Sequence, residues 1–437
     1  MTVDAYILDD LVDPRVGIVR SCARVVQDWR EPRRPVVYRA TLANFDFRRV
    51  PPLERITSGK GFTERDSARS AIVEALERYC AQQRRPGAFT TRRASALDHP
   101  AILPEELVLY SDAQYRTPGF PFPRPTADAE LTWVQATDVH SAEPVYAPAS
   151  LVYMNYAGAG GRELFTRTNT SGLAGGRDLP SAVLSAIYEL VERDAYMITW
   201  LTRLPAARIM FDETDGLAAE ICRHYARFAI ETLAFDVTTD LRIPVVMAVA
   251  VDHSGALPAA VVGLGCDLDP ASALDRAVME IVQVRTGLVP HFRQDPPPTP
   301  LTRYEDVRSL EDHAAFAANP ANLHELAFLL DGDARVRLSD LSDRGSGGLV
   351  EERLTLCVER LAAAGSTVAF VDLTMPDLEP FPVRIVRALA TGLQPIHFGF
   401  GQERLGGQRL FDVPRLLGKA DRTLTEADLN PCPHPLA

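Results

Sequence analysis

Ser70–Ala81 reads SAIVEALERYCA, and Ser185–Tyr196 reads SAIYELVERDAY. Each copy sets a serine four residues before a glutamate, a second glutamate three further on, and then an arginine. Positions i and i+3 share a helix face, so Glu74 and Glu77 project together, as do Glu189 and Glu192, with Ser70 and Ser185 one turn earlier. The remaining positions are mostly apolar, which predicts two substantially buried helices. Paired carboxylates on a buried helix are costly unless a cation or a basic side chain neutralises them. A third segment, DPASALDRAVMEIVQVR, repeats the spacing with Glu280 and Gln283 and places Arg276 and Arg285 close by. Taken singly, each pair also reads as a solvated face or a partner for Arg78 and Arg193. Three such helices in one chain favour convergence on one site.

Hard oxygen ligands in this number suit Mg2+, which shares its shell readily with phosphate oxygens and water. Two glycine-containing stretches precede the paired helices, SGKG (Ser58–Gly61) and NTSGLAGG (Asn169–Gly176). Both read as turns whose backbone N–H groups, with one ammonium, face a polyphosphate. Lysine occurs only at Lys60 and Lys419, so a lysine between two glycines is conspicuous. The P-loop signature GxxxxGK[ST] is absent, as are HExxH, GxSxG and GxGxxG. His397 and Cys80 read as core residues, the latter as a small hydrophobe.

These side chains need elements to hold them. Glycine turns lead into the helices that carry SAIVEALERYC and SAIYELVERDAY, and Pro270 suits the first turn of the third helix. LTWVQATDVHSAEPVYAPASLVYM predicts two strands joined near His140–Glu143. IPVVMAVAVDHSGALPAAVVGLGCDLD predicts a hairpin, and STVAFVDLT a buried strand. Residues 86–125 read as proline-rich and irregular, Asp295–Pro300 as a linker, and 286–345 carries little signal. Irregular alternation with a hairpin predicts an α+β fold of mixed sheets with packed helices. The repeated unit implies internal pseudo-symmetry.

The 437 residues are ample for a large core, and the net charge of −12 disfavours nucleic-acid or anionic-membrane binding. Six scattered cysteines without a CxxC pair predict reduced thiols in a cytoplasmic setting. The acidic N-terminus does not look like a signal peptide, and no apolar run is long enough to span a bilayer.

SGKG, SAIVEALER, TNTSGLAGG with SAIYELVERDA, DPASALDRAVMEIVQ and VDLT, in this order, resemble the YcaO family of ATP-utilising enzymes. The resemblance covers roughly residues 55–437, implying a lead-in over 1–54 and a YcaO-type ATP-binding domain ending in a proline-rich tail. It implies ATP contacts for Lys60, Ser70, Glu74, Arg78, Ser171, Ser185, Glu189, Arg193 and Gln283. It implies Mg2+ ligation by Glu74, Glu77, Glu189, Glu192 and Glu280.

Azoline-forming members typically end in a PxPxP tail at the active site, and Pro431, Pro433 and Pro435 fit that pattern. The implied activity is ATP-dependent cyclodehydration of Cys, Ser or Thr in a ribosomally made precursor peptide. His434 or the terminal carboxylate of Ala437 would then move the proton. Thioamide or amidine formation, or a non-catalytic docking scaffold, are the alternatives. Ser171 stands where members often have Asn, Thr391 where Pro is frequent, and the tail runs two residues past its last proline. No zinc-tetrad module is evident, which implies a separate leader-peptide-binding partner protein; a homodimer is compatible with the family.

Overall fold

The computed structural model describes residues 7–436 except 44–54, 86, 127–128, 157, 159–160, 168, 212–215, 295–300 and 342–346. The expected linker Asp295–Pro300 and the terminal residue Ala437 therefore lie outside the described residues.

Three sheets carry the chain. The first joins β1 (Val19–Arg24), β2 (Val36–Leu42) and β3 (Ile56–Gly61) in that order. The second contains β4 (Phe89–Arg92), β5 (Leu131–Asp138), β6 (Pro144–Pro148), β7 (Leu173–Gly176), β13 (Val368–Asp372) and β14 (Arg384–Ala390). Its order is β4-β5-β13-β14-β7, with β6 pairing β5. The third is formed by β8 (Ala207–Met210), β9 (Ile230–Asp236), β10 (Val245–Asp252), β11 (Ala260–Cys266) and β12 (Arg335–Arg337), ordered β11-β10-β9-β8-β12. Only the β12–β8 pair is parallel among these ladders. The expected hairpin is β10–β11, in continuous register from Val245↔Cys266 to Val251↔Ala260.

The three acidic helices are α1 (Glu64–Gln82), α2 (Leu179–Leu201) and α3 (Pro270–Gln294). Their starts are set locally. Thr63 Oγ1 accepts the Asp66 amide, Asp178 accepts the Ser181 amide, and Asp269 accepts the Ser272 amide. α2 is apolar nearly all round because the second and third sheets both pack on it, and it belongs to the largest buried cluster. α1 joins a second cluster under the first two sheets, and α3 a third beneath β9–β11.

SGKG is a strand, not the expected turn. Lys60 pairs with Val37 and Gly59 with Tyr38 on β2. Gly59 serves close packing: a Cβ there would run into the backbone of Ala71 and Ser67 on α1. The second glycine stretch is also mainly a strand, β7, with the bend confined to Gly172 at φ +76°. Strand β4 and a short helix at Asp112–Arg116 interrupt the region read as irregular.

The lead-in contributes β1 and β2 to the β3 sheet and is clipped to α3. Arg285, fully enclosed, donates to the buried Glu31 carboxylate at 3.0 Å, and Tyr225 hydrogen-bonds the same carboxylate. Among the described residues, no helix is long and apolar enough to cross a membrane, and all six cysteines are free thiols.

Candidate active site

The same strand-and-helix contact occurs three times. In each, a glycine strand lies against an acidic helix, and a helix glutamate accepts a strand amide. Ser58 N–H of β3 donates to Glu74 of α1 at 3.2 Å. Gly172 N–H, at the entry to β7, donates to Glu189 of α2 at 3.1 Å. Leu264 N–H of β11 donates to Glu280 of α3 at 2.9 Å. Gly59, Gly176, Gly263 and Gly265 permit this, since a Cβ at any of them would meet helix backbone. Two cross-links tie the units together: Gly175 N–H donates to Glu77 at 2.6 Å, and Gln283 donates its side-chain amide to the Ser58 carbonyl at 3.0 Å.

The Ser58–Glu74 contact and both cross-links border a solvent-open cleft of about 560 Å³, whose lining does not include Glu189, Glu192 or Glu280. Ser58, Lys60, Ser70, Glu74, Glu77, Gly175, Gly176, Ser185, Arg276 and Gln283 all face it. Arg78 pairs with Glu74 at 2.9 Å, and Arg193 lies 3.9 Å from Glu189 and 4.0 Å from Glu192. Lys60 Nζ is 3.9 Å from Glu280. Of the two arginines near the third acidic pair, Arg276 faces the cleft and pairs with Asp267 at 3.3 Å. Arg285 turns away to Glu31.

Electrostatics show the convergence directly. Burial lowers the Lys60 ammonium, and Glu280, Glu192 and Glu74, one carboxylate from each acidic helix, pull it back up. Burial raises Glu77 well above the carboxylate range, and repulsion from Glu74 and Glu189 adds to it. Burial raises Glu189 too, opposed by Arg193 and Arg387. Glu192 is pushed to about 8 by burial, opposed by Arg193 and reinforced by Glu280 and Glu189. Five carboxylates thus crowd around Lys60, Arg78 and Arg193, and burial with mutual repulsion drives Glu77, Glu189 and Glu192 toward their neutral forms, a cost that a divalent cation would relieve by holding them ionised. Among the described residues no three side chains form a ready metal cage. That donor set fits Mg2+, an ion that completes its shell with phosphate and water.

The tail is buried along α2. Asn430 N–H donates to the Leu201 carbonyl, and Trp200 Nε1–H donates to the Cys432 carbonyl, 2.8 Å away. His434 bonds the His397 carbonyl through Nε2 at 2.6 Å, while His313 Nδ1 bonds the His434 carbonyl at 2.7 Å. His434 and His313 stack at 4.1 Å, with Tyr196 edge-on to His434. Burial lowers His434 and His397 far below the usual histidine value, and His313 to about 4. Pro433 and Pro435 are buried with His434, whereas Pro431 is exposed. The tail adjoins the carboxylate cluster through Tyr196 and the Arg193 charge.

Thr391 caps the β13–β14 end, accepting the Thr367 amide through Oγ1 at 2.8 Å. Ser171 faces a second cavity, together with Leu190 and Arg193 of α2. Sequence reasoning missed that cavity, although Arg387, a charge inside the apolar run IVRALA, was a visible signal for it.

A protein-family model described as YcaO cyclodehydratase, ATP- and Mg2+-binding, matches residues 58–394. An uncharacterized protein of Methanothermobacter thermautotrophicus is 29% identical over 357 residues, covering 80% of this chain and 84% of its own. A heterocyclase solved in complex with substrate and cofactor aligns with TM-score 0.80 at 26% identity. The alignment covers 99% of this chain but only 56% of that one. The YcaO protein of Methanopyrus kandleri, solved with AMPPCP and Mg2+, shares the fold, with TM-score 0.64 at 22% identity over 91% of each chain. With three glutamate–strand units around one cleft and a family model spanning that whole region, this chain belongs to the YcaO family.

Proposed function

We propose that this protein is an ATP-dependent cyclodehydratase that forms azolines from Cys, Ser or Thr in a precursor peptide. The observation that carries the reading is the threefold glutamate–strand unit around a cleft holding Lys60. Three backbone amides orient carboxylates from three helices toward one place, so little reorganisation remains when charge develops there. The heterocyclase likeness over nearly the whole chain supports the choice of reaction.

In this reading Lys60, Ser70, Ser185, Arg78, Arg193 and Gln283 bind and orient ATP. Glu74, Glu77, Glu189, Glu192 and Glu280 hold Mg2+ directly or through water. ATP and Mg2+ held there would supply the phosphoryl transfer by which, once the Cys, Ser or Thr side chain has added to the preceding carbonyl, the hemiorthoamide oxygen so formed leaves as phosphate. His434, neutral and enclosed, positions the tail, with its Nδ1 left free of a hydrogen-bond partner; the terminal carboxylate of Ala437 is the second proton-shuttle candidate. The precursor peptide and a separate leader-binding protein are the proposed partners.

The test is to incubate the protein, the partner protein, the precursor peptide and ATP, and to weigh the peptide. Loss of one water per modified residue is the expected result. Sulfur-for-oxygen exchange would assign thioamide formation, and an unchanged mass without ATP turnover would leave a docking scaffold.

A further inference from the structure

The second cavity, about 80 Å³, shares α2 with the cleft: Leu190 and Arg193 line the cavity, and Ser185 of the same helix lines the cleft. Among the described residues, four arginines line it, Arg167, Arg193, Arg387 and Arg404, and no carboxylate does. Arg387 and Arg404 are 5% and 6% exposed, so both guanidinium groups are almost out of water. Their hydrogen-bond acceptors are neutral: Arg387 donates to the Asn169 carbonyl at 3.0 Å, and Arg404 to the Val108 carbonyl at 3.4 Å. Arg387 Nε is buried with no acceptor at all. Burial brings the Arg387 guanidinium down to about 10, with Glu189 opposing and the neighbouring Arg404 charge reinforcing the shift.

Among the described residues no carboxylate acts on Arg404, and Arg387 has only Glu189, which Arg193 also engages at 3.9 Å, so two neighbouring buried cations stay under-compensated unless an anion completes the site. Guanidinium forks match planar carboxylates in two-point hydrogen bonds. The other walls are apolar, including Leu190, Leu389 and Leu393. A free phosphate gains nothing from such walls, whereas a carboxylate on a small aliphatic body is matched on both sides. The volume accommodates several heavy atoms.

We infer that this arginine cavity is a recognition subsite for a carboxylate carried on an apolar body. Resting on the peptide-modifying reading, that group belongs to the precursor peptide: an acidic side chain beside an aliphatic residue, or a C-terminal carboxylate. Arg387 and Arg404 bind it, and Arg167, at the exposed rim, draws it in. The subsite sets which peptide segment lies next to Glu189 and Arg193, and so which residue is presented to the phosphoryl group.

Ligand-observed NMR titration of the full chain, without ATP, tests this with N-acetyl-leucine, N-acetyl-leucinamide and inorganic phosphate as probes. N-acetyl-leucine is expected to bind at least about tenfold more tightly than either other probe. Arg387→Gln should weaken it about tenfold while ATP affinity changes less than about twofold, and Arg387→Lys should fall between. Arg404→Gln gives an independent loss should Arg387→Gln fail to fold. Equal binding of acid and amide, tighter binding of phosphate, or unchanged binding in a folded Arg387→Gln or Arg404→Gln variant would overturn the assignment. Intact N-acetyl-leucine binding in a protein that leaves its peptide unmodified would sink the cyclodehydratase reading alone. Peptide modification without carboxylate selectivity would sink the subsite alone.

Discussion

Gln283 donates its side-chain amide to the Ser58 carbonyl, 3.0 Å away, and the amide of the same Ser58 donates to Glu74. Helix α3 and helix α1 are thereby held at the same edge of one strand residue, joining segments far apart in sequence. Gln283→Leu removes the link while preserving bulk. ATP affinity should fall about tenfold, the scale expected for one or two lost hydrogen bonds in a partly buried site, with a melting loss of about 1 kcal/mol. Isothermal calorimetry and thermal unfolding read the two effects separately.

Glu74→Gln and Glu189→Gln keep the shape of each strand–helix contact and remove its charge. Each should reduce ATP turnover at least about 100-fold, as loss of a preorganised electrostatic group does, with folding retained. Turnover within a few-fold of the parent in either variant would refute their assignment to the metal and nucleotide site.

Gly59→Ala asks whether SGKG is a packing strand or a flexible turn. The new Cβ meets α1 backbone, which has no rotamer by which to move aside. A stability loss of about 3 kcal/mol in denaturant unfolding is expected. A turn would accept the alanine with little change.

Arg409 bridges Asp194 and Asp240, donating to each carboxylate at 2.8 Å, and Asp194 is fully buried. Asp194 follows Glu192 and Arg193 directly, so this clamp fixes the rotation of α2 at the site. Arg409→Leu strands a buried carboxylate and should cost about 3–5 kcal/mol. Arg409→Leu combined with Asp194→Asn should recover part of that loss in a double-mutant cycle.

The three histidines around the tail predict an acid-sensitive anchor. Their folded values lie below the ordinary histidine value, so the unfolded chain takes up protons first as pH falls. The stability they contribute is full above about pH 6.5 and is lost as pH drops from there toward 4. Each histidine adds a slope of up to about 1.4 kcal/mol per pH unit in that window. His434→Asn should flatten the stability-against-pH curve by about one proton relative to the parent. Removing residues 431–437 should leave ATP binding in place and abolish peptide modification; full activity after truncation would refute a role for the tail.

Some of this protein is written locally. The i, i+3 spacing of Glu74/Glu77, Glu189/Glu192 and Glu280/Gln283 fixes which side chains share a helix face, because helix periodicity depends only on neighbours a turn away. The helix starts at Thr63, Asp178 and Pro270 are equally local, as is the β10–β11 hairpin. Lysine scarcity singled out Lys60 without any structure. Tertiary contact decided the rest. Gly59 has the composition of a turn, and only the approach of α1 makes it a strand. Val19–Arg24 and Val36–Leu42 alternate too weakly to announce strands, yet their pairing with β3 and the Glu31–Arg285 ion pair bind them to α3. The arginine cavity gathers residues 167, 193, 387 and 404 from separate segments, and the tail histidine, His434, meets His313 and His397 far from it in sequence. Burial and charge of this kind arise from non-local packing, where the free energy belongs to side chains that are neighbours only once the chain has folded.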